Sequence, residues 1–158
     1  MSDPLERRPL ETYPVRRSMQ TRWSDNDMYG HLNNAAYYAI FDTAINGWLA
    51  ENASLDHVAD ETLGVVAESA CRFHGELGFP EPITVGLRVE RLGRSSISYD
   101  LALFRGVEPA EDASPSATCR WVHVYIDRRT RIAADIPAAL RSVAAASMTE
   151  IRGALEPA

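Results

Sequence analysis

From Thr21 to Asn34 the chain reads Thr-Arg-Trp-Ser-Asp-Asn-Asp-Met-Tyr-Gly-His-Leu-Asn-Asn, which brings two carboxylates, a histidine, a glycine and several amides into one short stretch. The stretch lies between a strand-like run ending at Trp23 and an amphipathic pattern beginning near Asn34. Its polar groups therefore meet the start of a helix, where free N–H groups and the positive end of the dipole hold an anion or polarise a carbonyl. Asp25 reads as a turn residue whose side chain bonds nearby backbone N–H groups. Asp27 reads either as a carboxylate doing chemistry or as a helix-entry carboxylate stabilised by the dipole. His31 can orient substrate or water, or simply hydrogen-bond ahead of the helix. It is no triad member, because no serine or cysteine stands in an elbow context. Asn33 suits an N-cap, and its amide could also position a substrate.

The pair Asp25-x-Asp27 with Gly30 in sixth place imitates the opening of a calcium loop. The fifth loop position is Tyr29, the twelfth is Ala36 and the preceding element is a strand, so no metal site is expected.

The elements that must hold this stretch follow from periodicity. Tyr37, Ile40, Phe41, Ala44, Ile45, Trp48 and Leu49 recur at three- and four-residue steps, which predicts a helix of about five turns from Asn34. A first strand is expected at Val15 to Trp23. Four further strands are expected in succession at about 63–77, 82–92, 95–106 and 116–127, each with an alternating face. Val122, Val124 and Ile126 are read as the core side of the last. Pro137 suits a first helical turn, and Ile136, Leu140, Val143, Ser147 and Ile151 predict a closing helix of about four turns. Residues 1 to 12 are polar and aperiodic, a flexible N-terminal arm ahead of a single domain over 13–158. The order implies an α+β antiparallel sheet, packed on one face against a central helix. Its two free edges call for pairing across a two-fold axis, that is, for a homodimer.

A net charge of −6 on 158 residues argues against a general nucleic-acid binder, and all 16 basic residues are arginine. Arg91, Arg94 and Ser95 surround one strand-end turn, and Arg128, Arg129 and Arg131 another; guanidinium groups there match phosphate, or are ordinary solvated side chains. Cys71 and Cys119 fall in strand-like runs outside any CxxC spacing and read as reduced core residues. Glu68, His74 and His123 are strand polar residues with no chemistry assigned. No apolar segment near the N-terminus suggests a signal peptide or membrane span, so a soluble, cytoplasmic protein is expected.

Arg22 to Asn34, followed by Tyr37-Tyr38 and Phe41-Asp42-Thr43-Ala44, resembles the signature of the 4-hydroxybenzoyl-CoA-thioesterase-like branch of the hotdog-fold superfamily. Val66-Ala67-Glu68-Ser69, Val85 to Val89, Leu92 to Ser96 and Val122 to Arg128 resemble its later strands, so the likeness spans roughly residues 15 to 137. The resemblance implies a sheet of about five strands wrapped around one long helix, with a C-terminal helix. It also implies dimers or tetramers with sites at the subunit interface, and hydrolysis of an acyl-CoA thioester to free acid and coenzyme A. It implies Asp27 as the catalytic carboxylate. The residues themselves suggest the Asn34 backbone N–H, in the first turn of the helix, as oxyanion donor, with His31 in the catalytic set and Gly30, Asn33, Arg91, Arg94 and Ser95 toward the substrate. No metal or other cofactor is implied. Aromatic-acyl members carry apolar or aromatic residues after the glycine, whereas His31-Leu32-Asn33-Asn34 stands here, so an aromatic substrate is not carried over. The rival readings are a non-catalytic acyl-CoA-binding module on the same fold and an enoyl-thioester hydratase using Asp25 or Asp27 with His31.

Overall fold

The computed structural model describes residues 3–148. The main elements are β1 (Val15–Gln20), α1 (Asn34–Ala53), β2 (Thr62–Phe73), β3 (Pro82–Leu92), β4 (Ser96–Arg105), β5 (Ala117–Asp127) and α2 (Ala138–Ala146). The strands form one antiparallel sheet in the order β1-β3-β4-β5-β2.

The apolar stripe of α1 is buried as its spacing requires. Tyr37, Ile40, Phe41, Ala44, Ile45, Trp48 and Leu49 share one core with Ile83, Val85 and Leu87 of β3 and Ile97, Tyr99 and Leu101 of β4. Burying each large apolar side chain is worth about 1.5–3 kcal/mol of transfer free energy, and such packing rather than intrinsic propensity holds a helix in place. Asn33 caps α1, its side chain accepting the Ala35 N–H at 2.9 Å. Ser54, in the left-handed region at φ 51°, ends the helix.

Several expectations are corrected. β1 stops at Gln20, and a single 3-10 turn, Trp23–Asp25, takes up the end of the expected strand. The four later strands, expected in succession, do not all pair with their neighbours in sequence: β1 occupies the edge of β3, with Val15 opposite Leu87, so β2 crosses over and pairs with β5. In β5 the core side carries Cys119, Trp121, His123 and Tyr125, not Val122, Val124 and Ile126. The Ala138–Ala146 helix has nine residues with Pro137 as its N-cap, shorter than the four turns expected, and Ile151 lies outside the described residues. Cys71 and Cys119 are free thiols standing opposite each other in the β2–β5 ladder.

The face of the sheet away from α1 is covered by the N-terminal segment. Leu10 and Tyr13 pack on Ala102 and Phe104. Beside them Asp100, 1 % exposed, meets Arg88 at 2.6 Å, Arg8 at 3.1 Å and the Tyr13 hydroxyl at 3.3 Å. The arm read from sequence as flexible is thus seated by apolar burial and by a buried ion cluster.

Candidate active site

The stretch from Asp25 to Asn33 folds back on itself before α1. The Asp27 N–H donates to the His31 carbonyl at 2.9 Å, the Gly30 N–H to the Asp27 carbonyl at 3.1 Å and the Asn33 N–H to the Asp25 carbonyl at 2.8 Å. Gly30 turns the chain at φ +82°, a conformation that L side chains adopt only with strain. The turn is tied to the segment before β3, because the Leu32 N–H donates to the Leu77 carbonyl at 2.8 Å and the Phe79 N–H to Asn26 Oδ1 at 3.0 Å. Trp23, Met28 and Tyr29 stand exposed around it.

The two carboxylates have different surroundings. Asp25 is 4 % exposed and fully engaged: it accepts the Arg22 N–H at 2.7 Å and the Arg22 guanidinium at 2.8 and 3.1 Å. Burial alone would raise its pKa, but these bonds hold it below the usual carboxylate value. Asp27 is half-buried. Its Oδ1 accepts the Tyr29 N–H at 2.9 Å, and no cation pairs with it among the described residues. Of the two, Asp27 is thus the carboxylate left without a cation among the described residues.

In the first turn of α1 the Ala35 N–H goes to the Asn33 side chain and the Ala36 N–H to the Asn33 carbonyl at 2.9 Å. The Asn34 N–H, at the first helical position, has no acceptor among the described residues, as expected for one of the orphan donors of a helix start. Asp27 thus lies in the hydrogen-bonded turn that leads directly into this donor. His31 lies with Nε2 3.1 Å from the carboxylate of Glu76, the residue before Leu77, to which the turn is bonded.

Arg91, Arg94 and Ser95 are not brought to this turn. Gln20 pairs with Pro82, so the turn lies at the start of β3, whereas Arg91 to Ser95 follow its far end, roughly 34 Å along the strand. Arg94 lies 3.4 Å from Asp135, and its carbonyl accepts the Ile136 N–H. Arg128, whose guanidinium bonds the Asp60 and His57 carbonyls, sits at that same far end. Among the described residues no group of three or more histidines, cysteines, aspartates and glutamates could hold a metal ion. No helix there is long and apolar enough to cross a membrane.

Sequence reasoning gave His123 no role. The structure puts it inside the core, with Trp121 and Tyr125 on the same face of β5. The available signal was the period-two run Cys119, Trp121, His123, Tyr125, overlooked because the valines between them are more apolar.

A family model of the thioesterase-like superfamily matches residues 21–144, and the chain belongs to that family. Its sheet around one long helix is the hotdog fold. The chain is similar to the PA5185 protein of Pseudomonas aeruginosa strain PAO1, at 43 % identity over 91 % of this chain and 98 % of that one, with a TM-score of 0.85. It has the fold of the SAV2348 protein of Staphylococcus aureus, solved in complex with CoA (17 % identity, 88 % of each chain, TM-score 0.74). It also has that of Slr0204, a 1,4-dihydroxy-2-naphthoyl-CoA thioesterase from Synechocystis (16 % identity, 82 % and 94 %, TM-score 0.72). No curated protein matches the chain.

Proposed function

We propose that this chain hydrolyses an acyl-CoA thioester to a free carboxylic acid and coenzyme A. The observation that carries the reading is the pairing, around one turn, of a carboxylate and a helix-start N–H that have, among the described residues, no cation and no acceptor respectively. A thioester needs little more. Its leaving group is a thiol with a pKa of about 8.5 that departs as thiolate without a strong general acid. Asp27 acts as general base, taking a proton from water as the water oxygen attacks the carbonyl carbon, or as nucleophile, forming a mixed anhydride that water then opens. In either case the tetrahedral oxyanion is held by the Asn34 N–H, and breaking the C–S bond releases the thiolate. Family membership and the CoA complex of the Staphylococcus aureus neighbour support the substrate class.

The site is completed by a second copy. β2 is a twelve-residue edge strand whose Val66 is 49 % exposed, and an open edge of that length pairs readily with another. Two-fold antiparallel pairing of β2 sets the Phe73 end of one copy against the Thr62 end of the other. Arg91, Arg94 and Ser95 of the partner subunit would then come to the end of the sheet where Asp27 lies, which supports a place for the CoA phosphates beside them.

Thiol release from a panel of acyl-CoAs by wild type and Asp27→Asn tests the proposal. Turnover by wild type, lost in a folded Asp27→Asn, is expected; absence of hydrolysis across the panel, or full turnover by the amide variant, overturns it. Single-turnover reaction in oxygen-18 water tests the nucleophilic route: label in Asp27 means an anhydride opened by water at the Asp27 carbonyl, whereas label in the product acid alone fits either general-base hydrolysis or anhydride opening at the acyl carbonyl.

A further inference from the structure

The chain has two cysteines, and the fold makes them partners. Cys71 of β2 and Cys119 of β5 face each other across the antiparallel ladder. Facing Cα atoms in such a ladder lie about 4.5–5.5 Å apart, inside the window of roughly 4.4–6.8 Å that a disulfide spans. Both side chains lie on the α1 side of the sheet, Cys119 fully buried in the core and Cys71 half-buried against it. Both are free thiols, and the Cys119 thiol hydrogen-bonds to Cys71. A bond between them therefore asks for side-chain rotation, with the ladder kept in register.

The two sulfurs are not equivalent. Cys71 accepts from the Cys119 thiol and also from the Tyr38 hydroxyl, and these donors draw its pKa below the ordinary thiol value although partial burial opposes them. Cys119 is pushed up instead, by giving its proton to that bond and by burial. The thiolate is the nucleophile of sulfur chemistry, and Cys71 is also the more exposed of the two. Cys71 is thus the sulfur that reacts first, and Cys119 the one placed to resolve it.

We infer that Cys71 and Cys119 form a peroxide-sensitive pair that closes to a reversible disulfide between β2 and β5 in the folded chain. The Cys71 thiolate attacks one oxygen of hydrogen peroxide. The O–O bond breaks, the other oxygen leaves as hydroxide and takes a proton to become water, and Cys71 becomes a sulfenic acid. The Cys119 sulfur then attacks the Cys71 sulfur, and the sulfenic oxygen departs with the Cys119 proton as a second water. Sulfur is oxidised and peroxide oxygen reduced: two thiols and one peroxide give one disulfide and two waters. The bond fastens β2 to its only ladder partner among the described residues, next to Tyr38 in the early turns of α1. The pair stands independently of the hydrolytic reading.

Hydrogen peroxide titrated into the full, folded chain tests it, followed by intact mass and by peptide mapping without reductant. Wild type is expected to lose two hydrogens, to yield one cross-link joining the Cys71 and Cys119 peptides of a single chain, and to return to two thiols with dithiothreitol. Cys119→Ser should stop at a sulfenic acid on Cys71 that dimedone captures, whereas in Cys71→Ser the remaining thiol should react about tenfold more slowly or less. Absence of the bridge in folded wild type overturns the inference, and so do cross-links only between chains or a bridge that forms only in urea. Oxidation of Cys119 in Cys71→Ser at the wild-type rate overturns the order of attack. Should either variant fail to fold, the wild-type map decides.

Discussion

Asp27 and Asp100 are both aspartates held in place by hydrogen bonds, yet their surroundings are opposite. Asp100 is buried on the outer face of the sheet between two arginines and a tyrosine, and burial pushes its carboxyl up against the pull of Arg88 and Arg8. Asp27 sits half-open on a turn with one backbone bond and no cation among the described residues. A carboxylate neutralised by guanidinium groups stabilises, whereas one whose charge is left uncompensated beside a helix start is available to attack or to take a proton.

The sharpest way to break that contrast is exchange at each position. Asp27→Asn is expected to lower kcat/KM by about 10³-fold, about 4 kcal/mol in the barrier, while urea midpoints stay near wild type. Asp100→Asn should reverse the pattern, costing about 3 kcal/mol in denaturant unfolding with kcat near wild type for the protein that remains folded. The lower end of the range for a broken buried pair applies because burial already opposes that charge. An outcome with the two effects interchanged would reverse the assignment of roles.

A third prediction concerns the core. His123 is held neutral, with its pKa lowered from 6.5 to about 4. The unfolded chain takes up this proton as pH falls through 6.5 while the native state does not, so stability is full above that value and is lost between 6.5 and about 4. The integrated loss is about 3 kcal/mol. Chemical denaturation across that window should show the slope, and His123→Phe should flatten it, leaving the smaller same-sign contribution of His74. Smallest is Asn33→Ala, which removes the α1 cap and should cost about 1 kcal/mol. Because it also loosens the turn that carries Asp27, a fall in kcat larger than the stability change would extend the site to its cap.

The parts of the molecule legible from sequence are those specified by short-range pattern. The α1 stripe from Tyr37 to Leu49 and the alternation in β3 and β4 are written in spacings of 3.6 and 2, and Asn33 caps as its side-chain chemistry directs. The turn too was visible, since no packing need explains two carboxylates, a glycine and a histidine together. Less visible was which carboxylate stays free: Arg22 engages Asp25 only because a 3-10 turn at Trp23–Asp25 brings them together.

By itself, then, the sequence determined the elements, the family and the turn where polar groups are concentrated, because each depends on residues near one another along the chain. Tertiary structure alone decided that β2 joins β5, that the arm from Leu10 to Tyr13 covers the outer face, that the arginine turn at Arg91 to Ser95 stands at the far end from Asp27, and that His123 faces inward. Those outcomes depend on which edge is vacant and which face is covered, and both are set by the whole chain at once, because hydrophobic burial and hydrogen-bond satisfaction are properties of the packed assembly.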